Sequence, residues 1–461
     1  MATPALLALT APLAVVTAVA GCASSGTAQP APAGPKSTTQ PLPATADWPT
    51  YHGNAQRTGA VAGLPAAGRL GIRWSRRLDG AVYGQPLIIG GTVIAATESN
   101  RVYGLSRTTG RVLWSAQAAS GQGVPLSEQP CGNITPLGIT STPVYDPATK
   151  LVYVVAETQG GRKVMAGIKV SNGHVAMRLT IPAPDGHTGY DQQRGALALA
   201  DGRIYVVLGG HFGDCGPYRG SVAGVPASGH GKIVSYVIPT VKQAGIWASG
   251  GPVVSPWGTI YVAAGNGAAF KPPFDGSDSV IALTPQLKRI GVFAPKRWPE
   301  DNAGDLDLGS SSPALLPDGR ILQVGKAQLG YLLNARRLGG VGGQLAQGQV
   351  CASFGGPAVS GTTVYVPCVS TGLSAVSVAQ GRVHVLWRGP GSASGSPVVG
   401  GGAVWVADWN TGILYELNPA SGQVRHQIGL GAALPHFVSP SLSGSLVLIG
   451  TMHGVVAVSG A

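Results

Sequence analysis

Charge is what this chain has least of. Only 11% of its 461 residues are Asp, Glu, Lys or Arg. Helix-favouring charged runs are therefore scarce, which argues against stacked helical repeats. Cysteine is limited to five residues with no Cys-x-x-Cys, so a redox motif of that type is excluded. There is no His-Glu-x-x-His, no Gly-x-Ser-x-Gly and no phosphate loop. The nine histidines do not cluster at metal spacing. The formal net charge is +12, but the basic residues are scattered and no basic cluster interleaves with aromatics. Nucleic acid is therefore not an expected partner. A basic surface facing anionic wall polymers or headgroups, or a plain solvated surface, accounts for the sign.

Glycine, by contrast, is abundant at 71 residues, which suits many short strands joined by tight turns. Eight short steps recur, most of them small-small-Pro-apolar. They read Gly84-Gln85-Pro86-Leu87, Ser141-Thr142-Pro143-Val144, Arg194-Gly195-Ala196-Leu197 and Gly250-Gly251-Pro252-Val253. They continue as Ser311-Ser312-Pro313-Ala314, Gly355-Gly356-Pro357-Ala358, Gly395-Ser396-Pro397-Val398 and Val438-Ser439-Pro440-Ser441. Their spacing of roughly 40 to 60 residues is the period of propeller blades. A small residue before Pro lets an inner strand pack close to the axis, and Pro needs no ladder donor at a strand start. Trp74 and Trp114, at the ends of strand-length runs, are expected to fill the space between blades. The last copy lacks a final strand before Ala461, and a strand near Leu70 to Arg76 can supply it. The sequence thus predicts an all-β, eight-bladed propeller over residues 47–461, with an N-terminal strand closing the last blade.

The N-terminus reads as an address. Residues Ala5 to Ala20 are apolar but too short for a permanent span. They end in Val19-Ala20-Gly21-Cys22, which looks like a bacterial lipoprotein signal. That likeness implies cleavage after residue 21, lipidation of Cys22 and anchoring to the membrane outside the cytoplasm. An ordinary secretory signal is the other reading, and no Lys or Arg precedes the apolar stretch. Residues 22–46 are rich in Ala, Pro, Ser and Thr and read as a tether that builds no core. Cys131, Cys215, Cys351 and Cys368 remain, an even number in an exported chain. They allow three pairings. Cys351 with Cys368 spans one strand-turn-strand stretch and is favoured, which leaves Cys131 with Cys215.

The run Val102-Tyr103-Gly104-Leu105, followed by Thr109-Gly110-Arg111-Val112-Leu113-Trp114, resembles the repeat of pyrroloquinoline-quinone (PQQ) propellers. That superfamily holds quinoprotein alcohol dehydrogenases and non-enzymatic bacterial lipoproteins, including outer-membrane assembly propellers. The resemblance covers nearly all of residues 47–461 and speaks for fold more than function. A finer likeness to the dehydrogenases implies a cofactor funnel. Asn266, in Ala264-Gly265-Asn266-Gly267, matches their metal-binding Asn, and Asp214 stands where they have Glu. Asp305 matches their catalytic base, and Asp307 their extra carboxylate in lanthanide-using members. Trp247 matches the Trp beneath the quinone, and Lys326 the cation against its oxygens. Oxygen ligands of this kind suit calcium or a lanthanide, a nearby carboxylate can take a proton, and an indole suits a planar quinone.

Two departures weigh against that chemistry. The adjacent cysteine pair that caps the quinone is absent, since Gly132 follows Cys131. Asp214 is one methylene shorter than Glu. The same residues also have plainer roles. Gly265-Asn266-Gly267 suits a turn, Asp305 and Asp307 suit loop caps, Lys326 an exposed strand end and Trp247 packing between blades. Asp275-Gly276-Ser277-Asp278-Ser279 is too short for an EF-hand and reads as a blade turn. Two functions follow. One is a lipid-anchored binding platform in the cell envelope, without a cofactor, for envelope proteins or wall polymers. The other is a dehydrogenase for an alcohol or sugar that uses PQQ with calcium or a lanthanide. Convergence of Asp214, Asn266 and Asp305 in the funnel discriminates between them.

Overall fold

The computed structural model describes residues 47–392 and 394–460. The expectations for residues 1–21, for most of the tether at 22–46 and for Cys22 lie outside the described residues. Eight sheets of four or five strands follow one another along the chain as propeller blades. Blade one comprises Leu87–Ile89, Thr92–Ala96, Arg101–Ser106 and Val112–Gln117. Each later blade repeats this antiparallel meander. Blade four departs by adding Gly340–Val341 as a parallel edge strand beside Arg289–Ala294. The last blade holds Ser441–Ser443, Leu446–Thr451 and Gly454–Gly460. Its outer strand is Leu70–Arg77, paired antiparallel with Gly454–Gly460. The strand expected to close the ring therefore does so, and both chain ends are tied into one sheet.

The hydrophobic core is distributed between blades rather than gathered at one centre. Val144, Tyr153 and Met165 of blade two meet Ile204, Val206 and Ala223 of blade three. Val253, Tyr261 and Phe293 of blade four likewise meet Leu315, Ile321 and Leu333 of blade five. Polar staples cross many junctions. Trp74 Nε1 donates to the Arg107 carbonyl at 2.9 Å and Trp114 Nε1 to that of Val170 at 2.8 Å. Trp387 Nε1 does the same to Pro419 at 2.9 Å. Each indole lies on a turn glycine of the next blade. At Gly173, where φ is +75°, a Cβ would stand 2.6 Å from Trp114. In the middle of the ring tyrosines replace tryptophans. Tyr153 donates to Ala227, Tyr205 to Pro285 and Tyr261 to Ala335, at 2.7, 2.8 and 2.7 Å. Each such bond contributes about 1 kcal/mol net.

Antiparallel blades fix which loops share a face. Turns between first and second strands lie on one face, here called the lower. Turns between second and third strands, and the connections to the next blade, lie on the upper face. The segment from Trp48 to Val61 crosses the lower end of the central channel and touches the inner strands in turn. Trp48 pairs with Ile88, and Tyr145 N donates to Pro49 O at 2.8 Å. Val254 N donates to Ala55 O, Val359 N to Thr58 O and Val399 N to Gly59 O. Arg57 is buried at the centre of this plug, with no carboxylate paired to it among the described residues. Its guanidinium donates to the carbonyls of Pro252, Leu197 and Tyr51 and to Thr50 Oγ1. Tyr51 and His52 form the floor above it, and Gly356 must be glycine because a Cβ there would stand 2.5 Å from the Tyr51 hydroxyl. The channel is thus a cup that opens on the upper face. No helix among the described residues is long and apolar enough to cross a membrane.

Candidate functional site

All six residues singled out for a funnel lie in upper-face loops. Asp214, Asn266 and Lys326 follow second strands, and Trp247, Asp305 and Asp307 lie in connections between blades. The helix Trp298–Ala303 sets the position of the carboxylates. Its Asn302 accepts from Gly267 N and donates to Ala269 O and Ser277 Oγ, so the helix grips the loop of Asn266. Asp305 follows in the left-handed region at φ 53°, which Asp tolerates. Lys326 N then donates to Asp307 O at 2.9 Å.

Asp307 is the hub. Its side chain is buried, and Oδ1 accepts from Asn266 N at 2.6 Å. Its Oδ2 meets Lys326 Nζ at 2.5 Å, and the same ammonium donates to Asp305 Oδ1 at 2.8 Å. Burial raises the Asp307 carboxyl above its ordinary value, with the ammonium opposing. Burial also works against the charge of Lys326, yet Asp307 and Asp305 hold its pKa above the usual lysine value. Behind them Asp278 is fully buried, with Oδ1 accepting from Leu308 N and Oδ2 without a partner. Burial lifts its pKa well above the carboxylate range.

Trp247 does not pack between blades. It stands at the funnel mouth with its ring 5.9 Å from Phe354 and 6.3 Å from Phe437, and those two stack at 5.8 Å. Lys326 Nζ lies 6.0 Å from the rings of both Trp247 and Phe354. On the far side the Arg194 guanidinium lies 4.7 Å from Phe437 and 5.9 Å from Tyr83. Burial lowers its pKa. Beneath it, burial pushes the Glu98 carboxyl up to about 7 against hydrogen bonds from Gly138 N and Thr140. Between Tyr83, Arg194 and Phe437 and the Tyr51 floor the space is about 10 Å³, room for one water.

Sequence reasoning missed Phe354, Phe437, Tyr83, Glu98 and a mouth role for Arg194. A signal was present. Tyr83, Phe354 and Phe437 each immediately precede one of the eight steps, the position that enters the mouth.

Asp214 stands apart. It is exposed, and its Oδ1 accepts from the Tyr218 hydroxyl at 2.5 Å. No hydrogen bond or ion pair joins it to Asn266, Asp305 or Asp307 among the described residues. Cys215 beside it is bonded to Cys131, with Cα atoms 6.2 Å apart. Cys351 and Cys368 form the second disulfide, within blade six and its entry loop, with Cα atoms 5.7 Å apart.

This arrangement does not fit a divalent or trivalent cation at the residues named for it. A hard cation takes six to eight oxygen ligands. Here an ammonium already bridges the two carboxylates, Asn266 uses its backbone, and Asp214 is turned to Tyr218. Among the described residues no group of three or more His, Cys, Asp or Glu side chains gathers at metal-binding spacing.

An eight-bladed propeller with a plugged channel and a loop-built funnel defines the class: the PQQ-like β-propellers. Within it, the sequence profile described as outer membrane protein assembly factor BamB matches residues 55–212 and 327–459. That is more than half of the chain, and the chain belongs to this family. Comparison with curated proteins gives no match. Among solved structures, a europium-containing methanol dehydrogenase is similar at TM-score 0.69 and 14% identity, covering 90% of this chain and 98% of that one. The quinohemoprotein alcohol dehydrogenase of Comamonas testosteroni is similar at TM-score 0.65 and 14% identity, covering 89% and 80%. BamB of Moraxella catarrhalis is similar at TM-score 0.59 and 15% identity, covering 85% and 100%. At these identities the likeness is one of fold.

Proposed function

We propose that the chain is an extracytoplasmic interaction platform, held to the cell membrane by a lipid on Cys22, that binds another envelope protein at its upper face. The observation that carries this reading is the Lys326 ammonium set between Asp305 and Asp307, where a metal-dependent site needs open oxygens. The filled mouth adds support, since Trp247, Phe354 and Phe437 are half-buried aromatics ringed by Lys326 and Arg194. Aromatic and Arg side chains of this kind are what protein interfaces concentrate. The family's description as an outer membrane assembly factor points the same way.

The test is a thermal melt of the full chain with PQQ and calcium or a lanthanide. A ligand that binds only the folded state raises the melting temperature. No shift at high excess is expected. A saturable rise that requires quinone and metal together, and is lost in Asp305→Ala, would overturn the platform in favour of a dehydrogenase. The anchor is tested separately: Cys22→Ser should move the protein from the membrane to the soluble fraction.

A further inference from the structure

We propose that a cleft between blades two and three binds a small organic cation through a primary ammonium or guanidinium group. The cleft is an open depression of about 380 Å³ on the upper face, outside the central funnel. That volume is within the range of sites for small molecules. Its wall includes Glu157 and His211, each only 3% exposed, with Gln129, Tyr190 and Glu128 around them.

The hydrogen-bonding capacity left over in this wall is mostly of one kind. Gln129 Nε2 donates to the carbonyls of Val124 and Ile134 at 2.8 and 2.9 Å, which leaves its Oε1 as an acceptor without a partner. Neither ring nitrogen of His211 makes a hydrogen bond among the described residues, and Nε2 lies 3.8 Å from Glu157 Oε1, so the two groups face the same space. A Cβ at Gly132 would stand 2.5 Å from Gln129 Oε1 and 3.5 Å from His211 Nδ1, so both atoms reach toward one point. Burial and the Lys163 charge hold the imidazole down to about 4, so it is neutral and offers one nitrogen as an acceptor. Glu157 uses one oxygen, Oε1, on Lys163 at 3.2 Å. Buried acceptors without donors are costly, and a ligand bearing N–H groups would satisfy them.

Charge selects the same ligand. Lys163 is the buried cation of this cluster, and its ammonium is already taken by Glu157, Asp191 Oδ1 and O, and Gly161 O. Asp191 balances the ammonium, and burial pushes the Glu157 carboxyl up to about 7, so a negative surplus develops as Glu157 ionises near neutral pH, with Glu128 adding at the rim. Arg162 is exposed and lies toward the neighbouring depression. On a chain of net charge +12, an acceptor-lined negative cleft is a selective feature rather than a general surface property. The Cys131–Cys215 bond holds it in shape. It ties the loop of Gln129 and Gly132 to blade three, four residues beyond His211.

The test titrates the full chain with agmatine, cadaverine or a lysine-containing peptide at physiological salt, by calorimetry and thermal melt. Salt at that level screens loose attraction of amines to surface carboxylates. Saturable binding with a raised melting temperature is expected, weakened at least tenfold in both His211→Phe and Glu157→Gln. His211→Phe removes no hydrogen bond recorded among the described residues, so it should perturb the unliganded melt less than Glu157→Gln and keep the test open if that variant misfolds. Binding of the free amines identifies a small-molecule site. Binding of the peptide alone identifies a partner's side chain. No binding by any probe, or binding unchanged in both variants, overturns the proposal.

Discussion

Lys326→Met removes the ammonium that touches both Asp305 and Asp307, and its cost follows from how buried each partner is. The Asp305 side chain is 71% exposed, so its half of the bridge contributes at most about 1 kcal/mol. The Asp307 side chain is 5% exposed. Breaking a buried pair by deleting one partner costs about 3–5 kcal/mol, because the other charge is stranded. Asn266 N still donates to Asp307 at 2.6 Å in the variant, which places the loss at the low end, about 3 kcal/mol. The pH dependence has a definite sign. Burial already raises the Asp307 carboxyl from 3.8, and loss of the ammonium raises it further. The folded state then keeps a proton that the unfolded chain releases, so the deficit is small near pH 4 and grows as pH rises. Urea denaturation at pH 5 and pH 8 should show the wider gap at pH 8, with an unchanged slope. Adding Asp307→Asn should recover most of it. Wild type should give no terbium emission sensitised by Trp247, because the Lys326 ammonium occupies both carboxylates. A loss under about 0.5 kcal/mol at pH 8 would show that the pair is not buried in the way described. Terbium binding by wild type that is lost in Asp305→Ala would refute the reading that the ammonium stands in a metal's place.

Three further outcomes are expected. Between pH 4.5 and 7 the folded state holds a proton on Glu98 that the unfolded chain has lost, so stability falls as pH rises through that window. Glu98→Gln should flatten the fall by up to about 1.4 kcal/mol per pH unit, read from denaturation midpoints. Replacing Cys131 and Cys215 together by Ala opens a loop of 84 residues' separation and should cost about 2–5 kcal/mol. A loss no larger than that of a surface substitution would place the constraint elsewhere. Trp114→Phe should cost about 1 kcal/mol through the lost bond to Val170, whereas Gly173→Ala, which pushes a methyl into the indole at positive φ, should cost at least twice that by thermal melt.

The blades were legible because each must meet the same local demands. A small residue, in most copies followed by Pro, begins an inner strand at the axis, glycines make the turns, and in most blades a Trp or Tyr reaches across to the next blade. Those demands repeat along the chain, so their residues repeat too, and Leu70–Arg77 could be placed as the closing strand from the missing final strand alone. The plug from Trp48 to Val61 was not legible, because it is used once and its bonds go to blades scattered along the sequence. The site was half legible. The likeness to the dehydrogenases pointed to Asp305, Asp307, Lys326 and Trp247, which do share the upper face, but it carries no information on which side chain pairs with which here. Whether Lys326 faces a cofactor or a carboxylate depends on a few ångströms of loop position. Asp214 turning to Tyr218 depends on a residue four places on that nothing in the spacing marked.

Family likeness and site chemistry part at a definite place along the chain. The two matched stretches leave out residues 213–326, and that interval holds Asp214, Trp247, Asn266, Asp305, Asp307 and Lys326. It also holds the helix Trp298–Ala303, which fixes the loop of Asn266. Strands within the interval still satisfy the blade pattern, so the divergence sits in what the strands present, the upper-face loops that a rigid scaffold leaves free to vary. A hard cation would bring two or three positive charges to the carboxylates there and would need a third oxygen beside them. Lys326 brings one charge and three donors. Two of those donors go to Asp305 and Asp307, and burial, opposed by the ammonium and helped by the Asp305 charge, holds Asp307 above its ordinary pKa. A site so balanced is closed by its own residues, and under the platform reading proposed above a partner would meet the aromatic rim instead.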